Sequence, residues 1–353
     1  MNRLVLIGNG FDLSHKLKTS YNDFLFYYLK KILNDFFSNL SYEGKLIELH
    51  SKSSINGFPK METLDDLINV LNILKHKRDS NLYIKYKSQF FQEIINSFQH
   101  NKWVDLENHY FSYLLKMSNA SSNLVDDLSK LNQEFEHLKI ELENYLREVV
   151  ISDNPIQNPA KFDFLLEDIP DDQLIDSKPF YPTSIENIHV LNFNYTPTFN
   201  VYAQHLNTKK NTTINFIHGE LNNPDNPIIF GFGDEHNDEY KKFENKKENQ
   251  LFEHIKSFKY LRTSNYQDLI RFIDGNEFQV CIMGHSCGLS DRTMLKEIFE
   301  HKNCKSILIH YHKWGSDTHE NDYVNKTYEI SRHFTDKGMM RKKVVSFEKS
   351  KPL

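Results

Sequence analysis

The stretch Leu4-Val-Leu-Ile-Gly8-Asn9-Gly10-Phe-Asp12 decides the fold. It begins with a continuous apolar run, which is typical of a strand covered on both faces, as in a parallel sheet. The Gly-x-Gly that follows lets the backbone turn tightly and approach a phosphate. Leu13 stands where the dinucleotide fingerprint has its third glycine, so an ordinary turn remains an alternative. Asp12 lies at the predicted helix entrance and could act as an N-cap.

Similar apolar runs recur late in the chain and predict further strands at Ile188–Leu191, Ile214–Ile217, Ile228–Phe230, Val280–Met283, Ile307–His310 and Val344–Phe347. Helical spacing predicts helices at Tyr21–Leu40, Thr63–Leu74, Tyr83–Phe98 and Arg292–Phe299, with a charged helical insertion at Glu235–Lys259. We therefore predict an α/β fold with a Rossmann-like, mostly parallel sheet and a large helical insertion. Residues 1–20 and 183–353 form the predicted nucleotide-binding domain, and residues 21–182 the insertion, which ends in a loop rich in Pro, Asp and Asn.

Apolar residues in the insertion repeat at alternating steps of four and three, from Leu124 and Leu128 to Tyr145 and Val149. This heptad seam suits a helical hairpin or a short coiled coil. We favour a packing face within the chain, and the alternative is a homo-oligomer contact.

Composition excludes several classes of protein. The 353 residues carry a net charge of -5, so no basic excess indicates a nucleic-acid partner. The N-terminus lacks the features of a secretory signal, and no apolar stretch is long enough for a membrane span. Three cysteines without a CxxC pair predict neither disulfides nor a zinc ribbon, and no spacing of ligands predicts a metal. We therefore expect a cytoplasmic protein.

Polar residues follow the predicted strands, where α/β sheets bind ligands. Asn194 follows the strand that ends at Leu191 and is a candidate ligand-binding residue, whereas Asn192 is better explained by an Asx turn. His218 precedes a glycine after the next strand and could serve as a general base or orient a ribose hydroxyl. Phe230-Gly-Phe-Gly-Asp-Glu235 is a further glycine-rich exit from a strand.

Gly284-His-Ser286-Cys-Gly-Leu-Ser-Asp291 has two interpretations. It could form another ligand-binding turn, with Ser290 or Asp291 as an N-cap of the next helix. It also spells G-x-S-x-G, the nucleophile elbow of α/β hydrolases. A Ser286 nucleophile would then need an acid and a histidine downstream, for which Asp317, His319 and His333 are available.

Several blocks resemble the bacterial AbiH abortive-infection family: Leu6-Ile-Gly-Asn-Gly-Phe-Asp-Leu13, Leu17-Lys-Thr-Ser-Tyr-Asn-Asp-Phe24, Trp103-Val-Asp-Leu-Glu107, Asn192-Phe-Asn-Tyr-Thr196, His218-Gly219 and Gly284-His-Ser286 with Asp291. The resemblance runs from Arg3 to about Tyr311. It implies phage defence, in which an infected cell stops growing or dies.

The order of these motifs also resembles, more distantly, the sirtuin-like NAD-binding fold. That resemblance implies that Gly8, Gly10, Gly284 and Ser286 contact phosphates and riboses, that Asn194 meets the nicotinamide ribose and that His218 is catalytic. Asn9 and Thr196 depart from the usual alanine and acid, and the zinc-binding cysteines of protein deacetylases are absent.

The motifs and the two resemblances lead to three functional hypotheses. The first is a defence effector that cleaves the N-glycosidic bond of NAD, with Asn194 and His218 catalytic and with Gly8, Asn9, Gly10, Asp12, Gly284, Ser286 and Asp291 binding the nucleotide. The second is a serine hydrolase that uses Ser286. The third is a non-catalytic module that senses NAD or another nucleotide. A nuclease ranks last, because no metal-ligand pattern or basic stripe supports one.

Overall fold

The structure is a computed structural model that describes residues 1–52, 60–76, 82–101, 105–120, 123–150, 158–174, 183–233, 235, 238–315 and 320–353. Contacts divide the chain into two units. Unit 1 comprises Met1–Leu17, Asp153–Lys242 and Ile255–Leu353, and unit 2 comprises Lys18–Ser152 and Phe243–His254. Of the residues discussed above, Trp103, Asp234, Asp317 and His319 lie outside the described ranges.

The strands are β1 (Asn2–Ile7), β2 (Ser41–Glu43), β3 (Ile47–Ser51), β4 (Leu82–Tyr86), β5 (Ile188–Asn192), β6 (Thr212–Phe216), β7 (Phe278–Met283), β8 (Cys304–Tyr311) and β9 (Lys351–Pro352). Unit 1 contains a six-stranded sheet in the order β6-β5-β1-β7-β8-β9, and every pairing in it is parallel. All residues of β1, β5 and β7 are buried, as continuous apolar runs require. The predicted Rossmann-like α/β fold is confirmed.

The strand order determines where a ligand can bind. The chain runs from β1 outward through β5 to β6, and then returns to β7 on the opposite side of β1. Such a reversal opens a crevice at the carboxyl ends of the central strands, the usual ligand position in open α/β sheets. The residues that follow Ile7, Asn192 and Met283 border this position.

The helices are α1 (Asn9–Ser14), α2 (Tyr21–Asn39), α3 (Leu64–His76), α4 (Gln89–Asn101), α5 (Leu106–Ala120), α6 (Leu124–Tyr145), α7 (Asn200–Asn207), α8 (Asp238–Lys246), α9 (Lys256–Lys259), α10 (Asn265–Gly275), α11 (Arg292–Glu300), α12 (Tyr323–Ser331) and α13 (Lys337–Lys343). Helix α2 begins with a capping box between Ser20 and Asp23. No helix in the described ranges combines the length and apolarity needed to span a membrane.

Helix α6 confirms the predicted packing face of the heptad seam. Six seam residues are buried within unit 2: Leu128, Leu131, Phe135, Leu138, Leu142 and Tyr145. The Phe135 ring stacks on that of Tyr110 in α5, with ring centroids 4.1 Å apart. Homo-oligomerisation stays a prediction.

Three predicted elements are wrong. Tyr83–Phe98 is not one helix, because Leu82–Tyr86 is a strand that pairs with β3 in an antiparallel three-stranded sheet. Ile228–Phe230 forms no strand, although Phe232 nearby makes a single bridge with Ile255. Val344–Phe347 likewise contributes only one bridge, between Val344 and Ile307.

Candidate functional site at the carboxyl ends of the strands

The turns after β1 and β7 contact each other through their backbones. Gly10 N donates a hydrogen bond to Gly284 O at 2.8 Å, and Gly8 N donates to Met283 O at 3.3 Å. A Cβ atom on Gly8 would lie 2.5 Å from His285 Cα, and one on Gly284, whose φ is +74°, would collide with Phe11 N. The three glycines are therefore required by this close approach, and the amides of Gly8 and Gly10 already have backbone partners. Their predicted contact with a phosphate stays a prediction.

Asp12 lies within α1, and its carboxylate contacts the turn after β5. Thr196 Oγ1 donates a hydrogen bond to Asp12 Oδ2 at 2.5 Å, while Oδ1 has no hydrogen-bond partner among the described residues. The alternative N-cap role of Asp12 is wrong, because Gly8 is the N-cap of α1. The carboxylate of Asp12, from the turn after β1, thus lies beside Thr196 in the turn after β5.

Burial controls the charge of this carboxyl group. Asp12 is only 1% exposed, and burial raises its pKa from 3.8 to about 6. Hydrogen bonding by Thr196, and more weakly by Thr198 and Asn194, acts in the opposite direction. Among the described residues no cation contributes to this shift, and the group loses its proton near pH 6.

The asparagines after β5 have separate roles. Asn194 N donates to Asn192 Oδ1 at 3.0 Å, which is the Asx turn predicted for Asn192. Asn194 Nδ2 donates to Gly8 O at 3.1 Å, so this residue joins the turn after β5 to the turn after β1. Asn9, in the same turn as Gly8, is exposed.

A second cluster surrounds Asp291. Lys256 Nζ donates to Asp291 Oδ1 at 2.8 Å, and His218 Nε2 lies 3.1 Å from the same oxygen. His285 Nε2 lies 3.7 Å from Asp291 Oδ2, and Tyr260 Oη is 3.1 Å from His218 Nε2. All these side chains are buried. Asp291 is the N-cap residue of α11, as predicted, but its side chain makes no capping hydrogen bond.

In this cluster Lys256 and Asp291 form an ion pair, and the imidazoles of His218 and His285 beside it are neutral. Burial alone would raise the pKa of Asp291, but Lys256, His218 and His285 hold it well below its usual range. Burial lowers the pKa of His285 to about 3 and also lowers that of His218. His285 Nδ1 accepts from Cys287 N at 3.0 Å, so its single proton lies on Nε2 and faces Asp291.

The glycine-rich segment at residues 230–233, which follows no strand, holds this cluster together. Lys256 N donates to Phe232 O at 2.9 Å, and Thr293 N donates to Gly233 O at 3.2 Å. A Cβ atom on Gly233 would lie 2.8 Å from Ser290 O. This segment thus brings Lys256 and the start of α11 together. Lys256 and Tyr260 could not be identified from the sequence, because their partners Asp291 and His218 are distant along the chain. His285 belongs to the Gly284–Asp291 stretch, but the motif did not single it out.

Ser286 lies apart from both groups. It is exposed, and its Oγ accepts a hydrogen bond from Gly288 N at 3.3 Å. In a nucleophile elbow the serine itself occupies the strained turn, whereas here Cys287 has the left-handed conformation, with φ of 57°. His333 Nε2 donates to Cys287 O at 2.7 Å and not to Ser286. Within the described ranges, no group of three or more His, Cys, Asp or Glu residues is arranged to hold a metal.

The sequence pattern of the family described as "Bacteriophage abortive infection AbiH" matches residues 4–312, which is most of the chain. The matched region includes both the Asp12 and the Asp291 groups. No curated protein matches the sequence.

Proposed function

The chain belongs to the bacteriophage abortive infection AbiH family, and we propose that it serves phage defence by binding a nucleotide at the strand ends and cleaving the N-glycosidic bond of NAD. One observation carries the proposal. A buried carboxyl group with a pKa of about 6, Asp12, lies beside Thr196 and Asn194 at the carboxyl ends of β1 and β5. Ligands of open α/β sheets bind at this position, and neutral pH suits such a group to proton transfer.

The chemistry requires a base and a site for positive charge. Water adds a hydroxyl group to C1′ of the ribose, the bond from C1′ to the nicotinamide nitrogen breaks, and nicotinamide leaves with the bonding electron pair. One proton is released from the water. Asp12 Oδ1, which has no hydrogen-bond partner in the described ranges, is the atom we assign to accept that proton. The carboxylate charge also stabilises the oxocarbenium-like ribose.

We assign positioning roles to Asn194 and His218. Asn194 joins the two turns and so fixes Asp12 relative to the ribose. His218 has contacts with Asp291 and Tyr260, and the Phe193 backbone also hydrogen-bonds its ring. A ring held in this way orients the loop of Asp291 instead of accepting a proton from water. The nucleotide contacts of Asn9, Gly284, Ser286 and Asp291 stay predictions.

The test is NAD hydrolysis by the purified full chain, with nicotinamide and ADP-ribose detected by mass spectrometry. Asp12→Asn removes the base but keeps the shape, and we expect kcat to fall by about 10²- to 10⁴-fold. Asn194→Ala and His218→Ala should also reduce turnover. Asp225→Asn, which changes an exposed carboxyl group of unit 1, should leave it unchanged.

Three results would contradict parts of the proposal. Unchanged NAD in cells that die from the wild-type protein would exclude NAD cleavage as the defence activity. Full turnover by Asp12→Asn would exclude its role as base. Calorimetry that detects NAD binding without turnover would favour the non-catalytic sensing module.

A further inference from the structure

A polar groove lies on the sheet of unit 1, away from the strand ends discussed above. Its volume is about 370 Å³, and its walls come from β5, β6 and α10. Most lining residues carry amides, hydroxyls or imidazoles: Asn187, His189, Asn211, Thr213, Asn215 and Asn265. Among the described residues that line it there is no lysine or arginine, and their one carboxylate, Asp268, forms an ion pair with Arg271.

His189 lines this groove, and one of its ring nitrogens is buried without a partner among the described residues. The residue is 6% exposed, its Nδ1 is 2.8 Å from Thr213 Oγ1, and Nε2 has no partner among the described residues. The ring stacks on Phe272 with centroids 4.7 Å apart, which fixes its orientation. Burial lowers the pKa of His189 to about 4, so the ring is neutral at pH 7.

Asn215 also lines this groove, and its side-chain carbonyl oxygen is buried. The residue is 5% exposed, and its Nδ2 donates to Asn265 O at 2.7 Å. A backbone carbonyl can only accept, so the amide orientation is fixed and Oδ1 is an acceptor. Oδ1 has no hydrogen-bond partner in the part of the chain that the structure describes. His189 pairs with Thr213 in the sheet register, which makes Asn215 its diagonal neighbour on the same face.

We propose that this groove binds an uncharged molecule with a planar amide-type edge, namely a nucleobase or its nucleoside. Such an edge offers a donor to Asn215 Oδ1 and, beside it, an acceptor for His189 Nε2 in the tautomer in which Thr213 Oγ1 donates to Nδ1. The volume lies within the range of small-molecule sites. A wall with a carboxylate and without cations disfavours phosphates and therefore nucleotides. The proposal is independent of NAD cleavage at the strand ends.

The test is binding of adenosine, uridine and nicotinamide to the full chain, measured by calorimetry. His189→Phe keeps the ring stack and removes Nε2, and Asn215→Leu removes the acceptor. Each should weaken binding of the preferred compound about tenfold, the effect of losing one buried hydrogen bond. His310→Phe is the matched control, because His310 is a buried strand histidine that packs on Phe164 but lies outside the groove. It should bind as the wild type does.

Measurements on the wild-type protein do not depend on whether the variants fold. The ¹⁵N shift of the His189 imidazole in the wild type should change when the nucleoside is added. An unchanged shift, or absence of binding at millimolar concentrations, would overturn the proposal. Equal binding of glucose would overturn the assigned class of ligand. Asp12→Asn should keep nucleoside binding, and its loss would place the ligand at the strand ends instead.

Discussion

Asp12 and Asp291 are both buried in unit 1, with 1% and 7% exposure, yet their carboxyl groups have opposite properties. The pKa of Asp12 is raised to about 6, whereas that of Asp291 is held well below its usual value. Burial favours the neutral acid in both cases. The difference arises because the Lys256 ammonium lies 2.8 Å from Asp291, whereas Asp12 is hydrogen-bonded by hydroxyl and amide groups.

The difference in pKa between the two carboxyl groups bears on what each can do at this edge of the sheet. A carboxylate paired with a buried lysine remains ionised across the physiological range and cannot exchange a proton there. A carboxyl group without a cation changes charge close to neutral pH, where proton transfer is most effective. This difference supports the proposal that the Asp291 cluster holds the loops and that Asp12 accepts the proton.

The largest expected effect comes from removing the cation of the Asp291 cluster. Lys256→Met leaves a buried carboxylate without its ammonium, which should lower the free energy of unfolding by about 3–5 kcal/mol. Urea denaturation at pH 7 measures the loss. Lys302→Met, at an exposed lysine of the same unit, should change stability little.

A double variant sharpens this test. Adding Asp291→Leu to Lys256→Met removes the unpaired charge, so the double variant should be more stable than Lys256→Met alone. A loss below about 1 kcal/mol for Lys256→Met would contradict a dominant role for the lysine.

The next effect concerns the pH dependence that Asp12 causes. Because burial raises the pKa of Asp12 from its ordinary value of 3.8 to about 6 in the folded state, the folded state binds the proton more tightly. This contribution to stability is complete below pH 4 and is lost as pH rises through 6. The difference corresponds to about 3 kcal/mol.

Asp12→Asn should lack this contribution, and urea denaturation between pH 4 and pH 8 measures it. The wild type should lose about 3 kcal/mol relative to the variant as pH rises through this window. Asp225→Asn, at an exposed carboxyl group, serves as the control and should run parallel to the wild type. If stability depended on pH in the same way in Asp12→Asn and in the wild type, burial would not raise the pKa of the Asp12 carboxyl group.

The central strands were predictable because their apolar runs are local signals. The runs at Leu4–Ile7, Ile188–Leu191 and Val280–Met283 coincide with observed strands to within two residues at each end. The sheet of β2, β3 and β4 was missed, because Leu82–Tyr86 joins directly to a helical pattern and its pairing partners lie more than 30 residues earlier. Antiparallel pairing of this kind depends on contacts that spacing alone does not specify.

The site was predictable only in part. The sequence identified Asp12, Asn194, His218 and Asp291 as polar groups at strand ends, and the structure brings them into two pairs. It did not identify Lys256, which belongs to a charged stretch that resembles a solvated helix. The burial of Lys256 depends on Asp291, 35 residues away, so composition could not reveal it.

The smallest expected effect tests the hydrogen bond that moderates Asp12. Thr196→Val removes the hydroxyl that donates to Asp12 Oδ2, so the pKa of Asp12 should rise further and stability at pH 8 should fall by about 1 kcal/mol. A ¹³C titration of the Asp12 carboxyl group measures the change in its pKa. Thr198→Val is the matched control, because Thr198 Oγ1 donates to Thr196 and should move the pKa less. Equal shifts in the two variants would mean that the charge of Asp12 depends on general burial and not on its direct partner.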